Sequence, residues 1–352
     1  MKKIKKSVKI ITAVVLVIVL LLASGVIFYL SKLNLIKFSD GKFRWNGSID
    51  TNDSETIDEQ SRMNDAIADL EEKDAIDATG KIYKDKRILN ILLIGTDEYT
   101  EEFSENARGD SCMIMSVGKK DGSLKLASLE RGMGMPILDG KYKGQYDWLT
   151  HTFRYGGADL MMREVRECFK VDVERYIRVN FATFKKGIEA VGGIDIELTA
   201  AEAGYVNEGT GLKKYTAGLN HLDGEAALVY ARCRHIDSDW HRIERQRNVI
   251  QAVVTKTKEL DIAELNGLLN DVLPLVQTNL TRLEITELLL LAPKYRGAEI
   301  KQMTVPVSGS YGGMRGLGGR SLFSVDFETN SRALREFIYG IKDENSNSGE
   351  AQ

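Results

Sequence analysis

Apolar and polar positions recur along this chain in registers that change from segment to segment, and each change marks an element. Ile10–Leu30 is an uncharged, mostly apolar run of 21 residues, long enough to span a bilayer as a helix. Lys2, Lys3, Lys5, Lys6 and Lys9 precede it, and only Lys32 and Lys37 follow closely. The positive-inside rule then predicts a cytoplasmic N-terminus, with everything after Ser31 outside. Ala23-Ser24-Gly25 has the small residues of a signal-peptide cleavage site, but the apolar run continues to Leu30, so the expectation is an uncleaved anchor. Ser39–Arg62 is polar and reads as a flexible spacer. Met63–Ala78 places Ala66, Ile67 and Leu70 among acidic residues, the pattern of either a short amphipathic helix or a solvated stalk.

A folded core is predicted from there on. Ile88–Ile94 is a buried-strand run closed by Gly95, and Ser111–Val117 is a second. Lys120-Asp121-Gly122 predicts a hairpin turn into a strand at Leu124–Leu129. Ala158–Phe169 collects Leu160, Met161, Val165 and Cys168 on one helical face. Strands are expected at Tyr176–Val179, Ile194–Leu198 and Lys301–Val305. Helices are expected at Phe181–Val191, Asp223–Val229, Trp240–Leu260, Ile262–Leu273, Thr286–Leu291 and Ser331–Tyr339, with Pro274 and Pro293 as stops. Alternating strands and helices predict an α/β fold, an α-β-α sandwich with a central mixed sheet, preceded by one N-terminal transmembrane helix. The divisions are a basic tail at 1–9, the span at 10–30, an extracytoplasmic linker at 31–85, the folded domain at 86–342 and a polar tail at 343–352.

Composition mostly excludes. A formal net charge of −3 over 352 residues points to no nucleic-acid partner. Cys112, Cys168 and Cys233 lack disulfide-framework or zinc spacing, and the four histidines form no HExxH pair. No P-loop and no GxSxG element is present.

The candidate chemistry gathers in Tyr230–Gln246, YARCRHIDSDWHRIERQ. Arg232 and Arg234, two positions apart, point the same way in extended chain. On the helix that follows, Arg242 and Gln246 share a face and fall inside the arc of Ile243, Val249, Ile250, Val253 and Val254. An arginine aimed at a core needs an anionic partner, and its fork suits phosphate or carboxylate. The phase therefore predicts an inward-facing anion pocket; the alternative is a basic surface with internal Arg–Asp/Glu pairs. Asp97 follows the first core strand and Asp110 precedes the second. If those strands are neighbours, both carboxylates reach one rim and can hold Mg²⁺, or Mn²⁺, with phosphate oxygens completing the shell. Arg131, just past Leu124–Leu129, reaches toward the same rim.

Several stretches, in this order, resemble the LytR–CpsA–Psr family: NILLIGTD (Asn90–Asp97), ARGDS (Ala107–Ser111), LASLERG (Leu126–Gly132), RYGG (Arg154–Gly157), VNFATF (Val179–Phe184), AVGGIDIEL (Ala190–Leu198), LDGEAALVYARCRH (Leu222–His235) and DWHRIERQ (Asp239–Gln246). The resemblance implies a Mg²⁺-dependent phosphotransferase on the outer face of the cell membrane. Such an enzyme moves a glycopolymer, teichoic acid or capsular polysaccharide, from a polyprenyl pyrophosphate lipid to peptidoglycan through a phosphodiester. By position, Asp97 and Asp110 would hold the metal. Arg131, Arg232, Arg234, Arg242 and Gln246 would bind the pyrophosphate, with Arg131 also catalytic, and Asp239 would stand as general base. The lipid tail is expected between sheet and helices, against the apolar faces of Ala158–Phe169 and Phe181–Val191. The chain departs from the family pattern at Glu130-Arg131-Gly132, where a carboxylate commonly follows the arginine, and at Trp148, where a lysine is common. Two other readings share the pocket: a non-catalytic binder of lipid pyrophosphate or wall polymer, and a lipid pyrophosphatase.

Overall fold

The structure, a computed structural model, describes residues 32–43, 54–105, 107–233, 236, 239–295 and 298–341; the side chains of residues 54–56, 239, 262, 263, 265, 266 and 269 are not described. The anchor expected at 10–30 and the tail expected at 343–352 lie outside these residues. No helix among the described residues is long and apolar enough to cross a membrane.

In chain order, β1 (Lys37–Phe38) precedes α1 (Ser54–Ile67), β2 (Ile88–Thr96), β3 (Gly109–Gly118), β4 (Leu124–Leu129), β5 (Gly134–Pro136) and β6 (Tyr146–Trp148). Then come α2 (Leu149–Phe169), β7 (Arg175–Asn180), α3 (Phe181–Ala190), β8 (Ile194–Leu198), α4 (Ala200–Thr210), β9 (Gly218–Leu222), α5 (Gly224–Arg232) and α6 (Asp239–Thr257). The remainder is α7 (Ile262–Val272), β10 (Gln277–Thr278), α8 (Arg282–Tyr295), β11 (Ile300–Val305), β12 (Tyr311–Arg315), β13 (Ser321–Val325) and α9 (Phe327–Tyr339).

Seven strands form one mixed sheet in the order β1-β10-β7-β2-β3-β4-β11. Side chains alternate across a strand, so β2 feeds two cores. Leu92 and Ile94 join Ile114 against Met161 and Val165 of α2 and Leu334 and Ile338 of α9. Ile91, on the opposite face, packs with Leu33, Ile36, Leu280 and Ile285. Met113 and Leu126 share that second face with Ile250 and Val254 of α6. The sheet is thus covered on both sides, the expected sandwich with its central mixed sheet. Ile194–Leu198 does not enter it; β8 pairs only with β9, in a satellite body built with α3, α4 and α5. The helix α4 was not expected. Its start is a capping box between Thr199 and Glu202, but its small and polar residues carry little helical periodicity.

The end of the stretch expected to be a spacer is helical and packs against the domain. α1 begins inside it, and Glu59 and Met63 are each 4% exposed. Further on, the Lys73 N–H donates to Gly313 O and the Ile76 N–H to Val325 O, both at 3.0 Å, along the β12–β13 hairpin. Sequence polarity misleads here because α1 buries a paired charge and one methionine rather than an apolar stripe. The helix expected from Ala158 begins at Leu149 and kinks at Gly156 and Gly157. Gly157 has φ 67°, and a side chain there would collide with the Gly41 carbonyl.

Candidate functional site

The β2–β3 pairing builds the acidic rim. Gly95 lies opposite Ser111, and the register shifts by a bulge before Thr96 meets Gly109, a device that re-aims side chains at a strand end. Asp97 emerges past the end of β2 and Asp110 lies at the start of β3. Arg108 donates to Asp97 twice, from its backbone N–H to Oδ1 at 3.0 Å and from Nε to Oδ2 at 3.2 Å. Thr150 Oγ1 donates to Asp110 Oδ1 at 3.2 Å. Burial raises the Asp97 carboxyl above its usual range and the Asp110 charge raises it further; Arg108 pulls the other way. Two carboxylates that oppose each other's ionisation in a half-buried cleft suit a divalent cation, which relieves that repulsion. Among the described residues no group of three or more His, Cys, Asp or Glu side chains could hold a metal. Asp97 and Asp110 are thus the two carboxylates at this rim, and they would hold such an ion only with phosphate oxygens and water completing the shell.

Opposite the rim stand α5 and α6. Arg232 ends α5; its Nη1 donates to Tyr99 Oη at 2.7 Å and its guanidinium lies 4.5 Å from the Phe181 ring centroid. Arg242 is 2% exposed. Gln246, one turn on, accepts from Ser111 Oγ at 3.0 Å through Oε1. Arg245 has a different place: its Nε donates to Glu202 Oε1 at 2.7 Å and its Nη1 to Cys233 O at 3.0 Å, tying α6 to α4. The one helix therefore carries both an inward-facing arginine, Arg242, and a buried Arg–Glu pair, Arg245 with Glu202. Asp239 is the first residue of α6, its side chain outside the described set; Arg234 lies outside the described residues altogether.

Asp110, Arg232, Arg242 and Gln246 line one end of a single cavity of about 240 Å³. Away from them its walls are apolar: Leu93, Met113 and Ile177 from the sheet, Phe184 of α3, Leu228 of α5 and Ile250 of α6. Of the two helix faces expected to border a lipid tail, Phe181–Val191 contributes Phe181 and Phe184, whereas Ala158–Phe169 contributes nothing. The reason is the parity of β2: α2 packs on the Leu92–Ile94 face, behind the sheet.

Arg131 does not line this cavity. It is 3% exposed, its Nη1 is 3.9 Å from Asp110 Oδ1, and it is ion-paired with Glu59 of α1. Gly132 explains the approach, because a Cβ there would overlap the Met63 side chain. The carboxylate paired with Arg131 thus comes from Glu59 of α1 rather than from the next position in sequence, which is Gly132. Trp148 is fully buried; its Nε1 donates to Ser321 O at 2.8 Å, and the Arg320 guanidinium sits 5.7 Å from its ring.

Sequence reasoning missed Glu59, Tyr99, Thr150 and Arg178. Arg178 lies between the Phe103 and Phe153 rings at 4.8 and 4.6 Å, donates to Ser104 O at 2.7 Å and pairs with Glu98. It thereby pins the loop that carries Asp97. Its one signal was a charge within an apolar strand, Tyr176–Val179.

A central mixed sheet whose strand ends bring Asp110 to a largely apolar cavity, facing Arg232 and Arg242 of the covering helices, defines an α/β protein with one cavity that is charged at one end. Residues 51–333 match the model of the LytR_cpsA_psr family, and the chain belongs to that family. A relative in Enterococcus faecalis, the polyisoprenyl-teichoic acid–peptidoglycan teichoic acid transferase TagU, is 33% identical over 226 residues, covering 62% of this chain and 69% of the relative. The TagU of Bacillus mycoides is 32% identical over 209 residues, 58% of this chain and 64% of the relative, so this chain spans just under two thirds of that protein. Among solved structures, the LytR-CPS2A-psr family protein YwtF (TagT) with bound octaprenyl pyrophosphate lipid has the same fold, with a TM-score of 0.54 and 20% identity over 76% of this chain and 97% of that one.

Proposed function

We propose that this protein is an extracytoplasmic phosphotransferase that attaches a polyprenyl-pyrophosphate-linked glycopolymer, of teichoic acid or capsular polysaccharide type, to peptidoglycan. The observation that carries the reading is the cavity with Asp110, Arg232, Arg242 and Gln246 at one end and apolar walls along the rest. A prenyl diphosphate has the same two parts in the same order. The relatives named as teichoic acid transferases, and a fold neighbour holding octaprenyl pyrophosphate, support the same ligand class.

In this reading the diphosphate sits at the mouth, where Arg232 and Arg242 take the charge of its oxygens; the family resemblance assigns Arg234 the same role. The bond from Ser111 orients the Gln246 amide and leaves its NH₂ to donate to phosphate. Phosphoryl transfer depends chiefly on positioning and on stabilising oxygens that gain charge. A peptidoglycan hydroxyl attacks the sugar-proximal phosphorus, the anhydride P–O bond breaks, and the lipid monophosphate leaves with the electron pair. Asp239 is the assigned acceptor of the hydroxyl proton. Asp97 and Asp110 would hold Mg²⁺ or Mn²⁺, which when bound supplies charge neutralisation for the diphosphate. Arg131, held by Glu59 beside Asp110, orients that carboxylate. The anhydride drives the transfer, so no nucleotide is required. Residues 10–30 would keep the domain on the outer face of the membrane, where lipid donor and wall acceptor meet.

The test is incubation of the full chain with a synthetic lipid-linked oligosaccharide and peptidoglycan fragments, with and without Mg²⁺, read by mass spectrometry. The reading expects a joined phosphodiester product that requires the divalent ion. Lipid monophosphate released with glycan phosphate and no joined product would make the protein a pyrophosphatase; donor bound but unchanged would make it a binding protein.

A further inference from the structure

We propose that the outward face of α8, together with the segment that enters the domain from the N-terminus, is the surface on which this protein sits against an anionic lipid bilayer. The proposal rests on the reading of Ile10–Leu30 as a membrane span.

The first argument is the tether. The apolar run ends at Leu30, and Leu33 is already buried, 1% exposed, in the cluster that contains Leu280 and Ile285 of the α8 region. Three residues of extended chain reach at most about 11 Å. A span ending at Leu30 would therefore leave no more than that length of chain between the bilayer and the Leu33 cluster, too little for a stalk.

The second argument is what α8 shows to the outside. Ile285 faces inward, whereas Leu283 and Leu290 are 83% and 77% exposed. They are seven positions apart and share one face of the helix. Scattered exposed leucines are ordinary; two on one face, beside the entry of an apolar span, form an interfacial surface. Leu35 and Phe38, each 42% exposed, extend it toward the anchor, with the Arg282 guanidinium 5.7 Å from the Phe38 ring.

The third argument is charge. Lys86, Arg87, Lys119 and Lys120 border the same hollow as Leu283 and Leu290. Lys119 is paired with Glu287 at 2.7 Å and Arg87 with Asp85 at 2.6 Å. Lys86 and Lys120 have no ion pair among the described residues and suit the phosphates of lipid headgroups. Acidic and basic side chains thus both face the hollow, and the cations exceed the anions.

The geometry of the site agrees. Leu93 and Ile177 line the apolar part of the cavity and also pack against the cluster of Leu33 and Ile285. A prenyl chain leaving the bilayer beneath α8 would meet the cavity from its apolar end, and the diphosphate would arrive at the far, cationic end.

The test uses the full chain in vesicles that contain anionic lipid with brominated acyl chains. The native cysteines Cys112, Cys168 and Cys233 are buried, so single exposed cysteines can be labelled with an environment-sensitive dye. Leu283→Cys and Leu290→Cys report on α8; Leu219→Cys, a position 77% exposed on β9, is the control. Brominated lipid is expected to quench both α8 probes at least threefold more than the control, and aqueous iodide is expected to quench the control alone. If all three probes answer to iodide while the chain stays with the vesicles, the seat on α8 is overturned and the anchor stands. Shielding of the α8 probes from both quenchers means that protein, a second copy or the N-terminal segment, covers this face, which also overturns it. A chain that does not stay with the vesicles removes the anchor and the seat together.

Discussion

Arg242 and Arg245 stand three positions apart on α6, and the structure puts them in different environments. Arg242 lines the cavity, while Arg245 is held by Glu202 of α4. Arg242→Ala is expected to remove on the order of 2–4 kcal/mol of transition-state stabilisation, read as a fall in kcat/KM with thermal stability nearly unchanged. Arg245→Met should do the reverse: a loss of about 2 kcal/mol in denaturant unfolding, because Glu202, still held by Thr199, loses a charge-assisted hydrogen bond, and unchanged affinity for a prenyl diphosphate. Helical phase alone places Arg242 and Gln246 inward. It cannot find Glu202, whose approach depends on how a second helix packs. A further residue makes the domain sensitive to pH. Glu164 is fully buried in α2, and burial pushes its carboxyl up to about 8. The folded side chain holds a proton that the unfolded one has released, so its contribution to stability is complete below the unfolded value near 4.5 and is lost as pH rises to about 8. Unfolding free energy should fall by on the order of 1–3 kcal/mol between pH 6 and 8, and Glu164→Gln should flatten that slope in a urea titration.

Among the elements, α1 departs most from expectation. A polar stretch suggested a spacer, yet it delivers a buried carboxylate to Arg131 and a methionine over Gly132. Glu59→Gln is expected to cost about 3 kcal/mol, since it removes the buried carboxylate paired with the Arg131 guanidinium. Hydrogen exchange over residues 54–67 should then accelerate while the central sheet stays protected; unchanged exchange would show that the ion pair does not hold α1. The strands β2, β3, β4 and β11 were legible because apolar period and turn chemistry are local properties. The strand β9, the β12–β13 hairpin and α4 were not, because their glycines and polar residues carry neither an apolar alternation nor a helical stripe.

For the whole molecule, the cavity makes the length of the prenyl chain a variable. Leu228→Trp would fill the apolar part while leaving the cationic mouth alone. The expected outcome is a rise in KM of roughly tenfold for a long-chain donor and little change for a donor with a short prenyl group. Equal effects on both donors would place the tail elsewhere. The sequence by itself determined the α/β class, the order of the main strands, the apolar run before the domain and the arginine- and carboxylate-bearing motifs of the candidate site, since each of these is written within a few turns or one strand of chain. The tertiary structure alone decided which face of the sheet carries the cavity, that Arg131 belongs to Glu59 rather than to the cavity wall, and that Arg178 steadies the loop of Asp97. Those outcomes depend on strand neighbours and helix packing between residues tens of positions apart, where local periodicity carries no information.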